Sequence, residues 1–285
     1  MKVLVTGANG QLGWDVIREL EARGIECKGV DREDFDLLDA PAVKEAVIAY
    51  RPDAVVHCAA YTAVDRAESE PELCAGINGD GTLNVVRAAL SVDAKLVYIS
   101  TDYVFSGEGA EPWTEDSPYG PKNVYGLSKA QGEIAVRSLM EHYFILRTSW
   151  VFGVHGNNFV RTMMRLGRER TEVRVVDDQI GSPTSTEDLA RVICDMLPTE
   201  KYGIYHVCNK GYISWAQFAD MIMKHAGLRC RVTPIPTSEY PTPAHRPKNS
   251  RMDTGKLESQ FGPMPEVEDA LERCMRAMML DEMHA

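Results

Sequence analysis

Met1-Lys-Val-Leu-Val-Thr-Gly-Ala-Asn-Gly-Gln-Leu-Gly13 opens the chain, and its glycines at 7, 10 and 13 decide how everything after them is read. Val3, Leu4 and Val5 form an apolar run too short for a helix and suited to a strand buried on both faces of a parallel sheet. Leu12, Val16, Ile17 and Leu20 then recur at helical spacing, and Gly24 offers a stop, which predicts an amphipathic helix over 11–23. Between the two, Gly7 permits a tight turn and Gly10 lets backbone N–H groups approach a pyrophosphate. Gly13 lets the helix pack closely on the strand, so that its positive end faces the phosphates. The next apolar segment ends in Asp31, near the spacing of about 20 residues at which a carboxylate accepts hydrogen bonds from an adenosine ribose. Three glycines alone also suit a plain structural turn. The strand before them, the helix after them and the acid beyond point instead to a dinucleotide. Asp31 favours NAD, whereas its neighbour Arg32 leaves NADP open.

Whole-chain properties set the bounds. A chain of 285 residues, 44% hydrophobic and 26% charged, is an ordinary globular protein with ample length for a core. The formal charge of −11 argues against broad binding to nucleic acid or to an anionic membrane. Cys27, Cys58, Cys74, Cys194, Cys208, Cys230 and Cys274 are odd in number, widely spaced and without a C-x-x-C pair, as reduced thiols of the cytoplasm are. No basic and apolar leader opens the sequence, and no apolar run reaches membrane-spanning length.

Strand and helix signals alternate through the first half. Residues 42–50 are expected helical, Ala54-Val-Val-His57 a buried strand leading into Cys58-Ala-Ala-Tyr61, 79–91 a helix, and Lys95-Leu-Val-Tyr-Ile-Ser-Thr-Asp102 a strand. Ala59 and Ala60 at a strand's carboxyl end suit either a close ligand or plain packing. This alternation predicts an α/β fold of the Rossmann type, a doubly wound parallel sheet with right-handed crossovers. Residues 107–123, broken by Pro112, Pro118, Gly120 and Pro121, are expected to be a loop over the site. A helix over 124–141 then carries Tyr125 and Lys129, which share one face at i and i+4. A phenol with a reference pKa of about 10 becomes a usable proton donor at neutral pH when an adjacent ammonium stabilises its anion.

Three stretches together, Thr6-Gly-Ala-Asn-Gly-Gln-Leu-Gly13, Ser100-Thr-Asp-Tyr-Val-Phe105 and Tyr125-Gly-Leu-Ser-Lys129, resemble the extended short-chain dehydrogenase/reductases. More narrowly, Cys58-Ala-Ala-Tyr-Thr-Ala-Val-Asp65, Arg147-Thr-Ser-Trp150, Gly156-Asn-Asn-Phe-Val160, Asp178-Gln-Ile-Gly-Ser-Pro-Thr184 and Arg246-Pro247 are similar to the dTDP-4-dehydrorhamnose reductases. That resemblance covers nearly the whole chain and implies reduction of the 4-keto group of a dTDP-linked 6-deoxyhexulose by NADPH or NADH. It implies Thr101, Tyr125 and Lys129 as the catalytic set. Gly7, Asn9, Gly10, Gln11, Leu12, Gly13, Asp31, Arg32, Ala59, Ala60, Tyr61, Ser100, Tyr125 and Lys129 are implied at the cofactor. Val64, Thr101, Asp102, Tyr125, Trp150, Asn158 and Arg246 are implied at the sugar nucleotide. Asp102 suits a turn cap as well as a sugar contact, and Trp150 suits core filling as well as stacking on a sugar.

Past Tyr143 the character changes. Residues 144–150 and short stretches at 173–176 and 205–207 are expected as strands. Helices are expected over 157–168, 186–197, 215–226 and 265–279, with a proline-marked irregular segment from 234 to 247. The division expected is 1–149 for the dinucleotide and 150–285 mainly for a smaller substrate-binding lobe, partly interleaved with the first. Leu271, Met275, Met278 and Met279 are expected to pack. Some relatives dimerise around Mg²⁺, and the matching positions here are Asp15, Glu187 and Asp188. The last two equally suit the positive end of a helix capped by Ser185-Thr186. Two other functions use the same glycines, tyrosine and lysine: a nucleotide-sugar epimerase or dehydratase with bound NAD, and a non-catalytic regulatory subunit.

Overall fold

In the computed structural model, which describes residues 1–284 and side chains through residue 280, the opening apolar run is strand β1 (Lys2–Thr6), buried from Val3 onward. It pairs in parallel with β2 (Glu26–Val30) on one side and β3 (Ala54–His57) on the other. β4 (Lys95–Thr101), β5 (Tyr143–Thr148) and the strand Gly203–His206 follow outward from β3, all parallel. The order across the sheet is Gly203–His206, β5, β4, β3, β1, β2, and so the direction of winding reverses between β1 and β3. Such a reversal opens a crevice at the carboxyl ends of these two strands, because the connections leave to opposite faces.

A parallel sheet has to be covered on both faces. Helix α1 (Gln11–Ala22) covers one with Leu12, Val16 and Leu20, beside Leu189 and Ile193 of the helix Thr186–Met196 and Leu257 of Gly255–Phe261. Helix α2 (Ala40–Tyr50), Thr82–Leu90 and Val124–Leu139 cover the other through Val43, Val47, Val85, Val86 and Val136. The expected doubly wound α/β architecture is therefore the observed one, and chain beyond residue 150 supplies part of it. A separate apolar cluster gathers the helices Phe159–Glu169, Trp215–His225 and Val267–His284 around the parallel ladder Glu172–Val176 with Arg231–Ile235. Leu271, Met275 and Met278 are buried there, but Met279 is 36% exposed. One residue past Met278, it has rotated about 100° off the buried stripe.

The helix expected over 79–91 begins earlier. Pro71–Ala75 is helical, Gly76–Gly81 widens into a π-turn, and Thr82–Leu90 continues. The missing side chains of Gly76, Gly79 and Gly81 make room there for Leu38, Gln131 and Leu37. Pro234 also departs from the irregular segment expected, lying within the strand Arg231–Ile235. A two-stranded ladder has only edges, where the missing N–H is tolerated.

Candidate active site

The glycine turn is fixed by backbone crowding. Gly7 lies at φ +68°, and a Cβ there would come 2.6 Å from the Ala59 backbone nitrogen. A Cβ at Gly13 would fall 2.1 Å from the Gly7 carbonyl oxygen, so α1 reaches the turn only because that position is glycine. Gly10 is the N-cap of α1, with no side-chain cap and no acid in the first turn. The helix end therefore keeps its positive pole for an anion. Asp31, at the end of β2, accepts from the N–H groups of Asn9 at 2.9 Å and Arg32 at 2.8 Å, while the Arg32 side chain is exposed. Leu12 is a core residue, 8% exposed, and has only its backbone to offer a ligand. A cradle that any Cβ would fill, a bare helix N-terminus and an acid one strand away fit a nicotinamide dinucleotide.

Asn158, expected at the sugar, has bonds within the chain. Its Nδ2 donates to Gln11 Oε1 at 3.0 Å and to the Gly153 carbonyl at 2.7 Å, while its Oδ1 accepts from the Arg161 N–H at 3.0 Å and caps the helix Phe159–Glu169. It ties the second lobe to the glycine turn, a job that an N-cap next to a close-packed loop imposes.

At the end of β4 the chain enters a 3₁₀ turn, Asp102–Val104, with Thr101 5% and Asp102 3% exposed. Thr101 Oγ1 donates to Asp102 Oδ1 at 3.0 Å and accepts from the Tyr103 N–H at 3.2 Å. Tyr125 stands in the first turn of Val124–Leu139, whose N-cap Asn123 accepts from the Gly126 N–H at 2.7 Å. A Cβ at Gly126 would sit 2.2 Å from the Tyr103 carbonyl oxygen, so this glycine lets the helix end rest on the turn after β4. That contact brings the Tyr125 and Thr101 hydroxyls together. Lys129, 3% exposed, lies one turn on with its ammonium 4.1 Å from the centre of the Tyr98 ring.

The electrostatic balance differs from the expectation. Burial pushes the Tyr125 pKa up, the Asp102 charge adds to the rise, and the Thr101 hydroxyl opposes it. Lys129 spends its charge on other neighbours: Glu133, Cys58 and Cys74 raise its own pKa against the burial that brings it down to about 7. Burial, then Lys129, hold His57 near 3. The ammonium faces the Tyr98 ring and the β3 edge, because the helix places its stem over the sheet.

Two buried networks hold these groups, and neither was read from the sequence. Ser100, expected at the cofactor, donates its hydroxyl to Glu133 Oε1 at 2.5 Å. Glu133 also takes Arg147 Nε at 2.9 Å and Nη2 at 2.7 Å, and the Tyr119 hydroxyl at 2.7 Å. On the other side His57 Nδ1 meets Thr6 Oγ1 at 2.7 Å, and the Ala59 N–H donates to the same Thr6 oxygen at 3.3 Å. Asn78, inside the π-turn, holds both the N–H and the carbonyl of Tyr61, at 2.8 and 3.0 Å, and donates to Ser128 at 2.9 Å. π-turns cluster at functional sites, and a polar residue between glycines was the available signal. Ala60 is half-buried at this edge, and Tyr61 belongs with Ala67 and Cys74 to a small apolar cluster against which Val124 and Tyr125 pack.

Arg246 closes the far end. It reaches Asp65 Oδ2 at 2.6 Å and the Tyr103 hydroxyl at 3.0 Å, and the Tyr103 ring meets the Tyr125 ring edge-on at 5.6 Å. Val64 opens the short helix that carries Asp65 and so lies at the same end. Asp65 and Tyr103 were missed because only folding brings them to Arg246. Trp150 sits at φ +51°, unusual for a bulky residue, with one face stacked on Trp215 at 3.7 Å.

The three carboxylates considered for Mg²⁺ do not form a metal site. Asp188, 2% exposed, takes Arg273 Nη2 at 2.7 Å and Asn209 Nδ2 at 2.9 Å. Glu187 takes Arg273 Nη1 at 2.7 Å and Arg191 Nη2 at 2.5 Å. Asp15 is half-buried, and burial first, then Glu187, raise its pKa against the lowering effect of the nearby Thr186 hydroxyl. Among the described residues no cluster of His, Cys, Asp or Glu is suited to hold a metal ion. A guanidinium neutralises the acidic pair instead. Ser185 is the helix N-cap but makes no side-chain cap, and the Thr186 hydroxyl lies 3.3 Å from the Phe152 carbonyl.

A glycine cradle at the switch point, with Thr101, Tyr125 and Lys129 gathered at its rim, defines an extended short-chain dehydrogenase/reductase. Residues 1–280 match the family model described as RmlD substrate binding domain, and the chain belongs to that family. It is 39% identical to the dTDP-4-dehydrorhamnose reductase of Sinorhizobium fredii over 99% of both chains. Its fold is similar to the crystal structure of dTDP-4-dehydrorhamnose reductase from Bacillus anthracis in complex with NADP, at TM-score 0.94 and 45% identity over 97% of this chain and 99% of that one. A dTDP-4-dehydrorhamnose reductase from Clostridium acetobutylicum gives TM-score 0.95 and 42% identity, over 98% and 100%.

Proposed function

We propose that the protein reduces the 4-keto group of dTDP-4-dehydro-L-rhamnose, giving dTDP-L-rhamnose, with NADPH or NADH. The observation that carries this reading is the convergence of Tyr125 and Thr101 hydroxyls beside the glycine cradle, in a chain several of whose relatives are named dTDP-4-dehydrorhamnose reductase. The cofactor, when bound, supplies hydride. Gly10 and the first turn of α1 would hold its pyrophosphate, Asp31 and Arg32 its adenosine ribose, and Lys129 its second ribose. Tyr125 gives a proton to the oxygen that becomes the new hydroxyl, and Thr101 orients that oxygen. Arg246, already in place beside Tyr103, would meet the sugar nucleotide together with Val64 and Trp150.

On this reading residues 1–149 chiefly bind the dinucleotide, and the chain from 150 onward mainly shapes the substrate lobe. The seven free thiols support a reducing compartment, the cytoplasm; among the described residues no helix is long and apolar enough to cross a membrane. The test is a panel of dTDP- and UDP-linked 4-keto sugars with NADPH and NADH, followed at the absorbance of the reduced cofactor. Stoichiometric cofactor oxidation with the dTDP-linked 4-keto sugar is expected. Turnover without net oxidation would make it an epimerase or dehydratase, and no turnover a regulatory subunit. Sedimentation of the same protein tests for a homodimer.

A further inference from the structure

Backbone N–H groups at the start of α1 are what a pyrophosphate meets, so the turn before them has to be held in one conformation. Helix α1 makes its first bond of its own at Trp14, whose N–H donates to the Gly10 carbonyl at 3.0 Å. The N–H groups of Gln11, Leu12 and Gly13 come before it and have no helix carbonyl to meet. The peptide joining Asn9 to Gly10 leads into this row. Its N–H, on Gly10, turns inward to the Gly7 carbonyl at 3.0 Å. Among the described residues no peptide bond is cis, so the carbonyl of the same peptide, on Asn9, points the opposite way, out of the turn. There His155 Nε2 meets it at 3.0 Å. A carbonyl only accepts, so Nε2 carries a proton and donates.

His155 comes from the second lobe, in the half-buried turn between Phe152 and the helix Phe159–Glu169. Its ring stacks on the Trp14 ring of α1, with centroids 5.1 Å apart and planes 6° from parallel, which fixes the direction of the imidazole edge. The Arg18 guanidinium lies 4.4 Å from the centre of the same indole. The turn touches the glycine loop twice more. Gly156 is at φ +76°, where a Cβ would come 2.9 Å from Gln11 Cγ, and Asn158 bonds Gln11 Oε1 at 3.0 Å. Asn9 is thus gripped on both sides, its N–H by Asp31 at 2.9 Å and its carbonyl by His155.

We propose that His155 is a positioning residue for the dinucleotide, acting through the Asn9 carbonyl. It locks the Asn9–Gly10 peptide so that the N–H row of α1, and no carbonyl oxygen, faces the pyrophosphate. Released from His155, that peptide is free to rotate and bring a carbonyl oxygen toward the anion. The second lobe therefore takes part in holding the cofactor as well as the sugar. The proposal rests on the dinucleotide reading above. Since NADH and NADPH share the pyrophosphate, His155 acts equally on both, unlike a residue that reads the 2′-phosphate.

Two variants at this half-buried position separate the hydrogen bond from the stack. His155→Phe keeps a ring against Trp14 and removes the donor, whereas His155→Gln removes the ring and offers an amide N–H in place of Nε2. Each is titrated with NADPH and with NADH by fluorescence, without sugar, and then assayed at steady state. His155→Phe should weaken both cofactors alike by about three- to tenfold, the loss that one hydrogen bond gives. Its KM for each should rise by the same factor, with kcat held within about twofold. His155→Gln should stay within about twofold of the wild type in both affinities. Wild-type affinity in His155→Phe, an equal loss in His155→Gln, or a loss that falls on kcat or on one cofactor alone overturns the proposal. A wild type that binds neither cofactor overturns the dinucleotide reading and this proposal together. One that binds both but oxidises them with none of the sugars sinks the reductase reading alone, because the titrations need no turnover.

Discussion

Arg147→Met is expected to be among the most damaging single changes outside the glycine turn. Arg147 and Glu133 are 1% and 0% exposed and joined by two charge-assisted hydrogen bonds, at 2.7 and 2.9 Å. Methionine fills much of the same volume but leaves the Glu133 carboxylate buried without its cation. Breaking a buried pair in this way costs about 3–5 kcal/mol. The hydroxyls of Ser100 and Tyr119 stay on the carboxylate at 2.5 and 2.7 Å, which puts the loss toward the lower end, about 3 kcal/mol. In a chain of this size a kcal/mol moves Tm by about 2 °C, so calorimetry at neutral pH should show a fall of about 6 °C. Arg147→Met combined with Glu133→Leu removes both charges and should recover to within about 1 kcal/mol of wild type. Because Ser100 precedes Thr101 and Glu133 lies one turn past Lys129, the single variant should also lose kcat. A fall of less than ~2 °C, or a double variant less stable than the single one, would refute the reasoning.

Tyr125→Phe should lower kcat by about 10²–10³ with NADPH affinity held within a few-fold, while Lys129→Met harms both; near-normal kcat in Tyr125→Phe would remove it as the proton donor. Arg32→Ala should weaken NADPH more than NADH in a fluorescence titration if the exposed guanidinium beside Asp31 meets a 2′-phosphate; equal losses would show that it does not read the phosphate. Gly13→Ala puts a Cβ 2.1 Å from the Gly7 carbonyl and should displace the turn, weakening NADPH more than about tenfold. With Arg273 already on Glu187 and Asp188, sedimentation and Tm should be the same in Mg²⁺ and in a chelator.

The glycine turn, the parallel strands and the Tyr125–Lys129 spacing were legible because each is a local pattern. A positive φ at Gly7, a run of buried strand residues and a shared helix face are properties of neighbouring residues along the chain. The bonds of Asn158 to Gln11 and of Ser100 to Glu133 were not legible, because distant segments supply those partners. The π-turn at Gly76–Gly81 was missed for the same reason, since the room its glycines leave is used only once Leu37, Leu38 and Gln131 are beside them.

From sequence alone follow the doubly wound sheet, the glycine turn and the helix face that Tyr125 and Lys129 share, because hydrophobic period and backbone freedom act over a few residues. Tertiary structure decided the charges. It set Lys129 over the Tyr98 ring, gave the acidic pair an arginine, and sealed Asp102 beside Thr101 with one oxygen unpaired. Burial and the approach of opposite charges govern protonation, and both are sums over atoms that the chain brings together only when it folds.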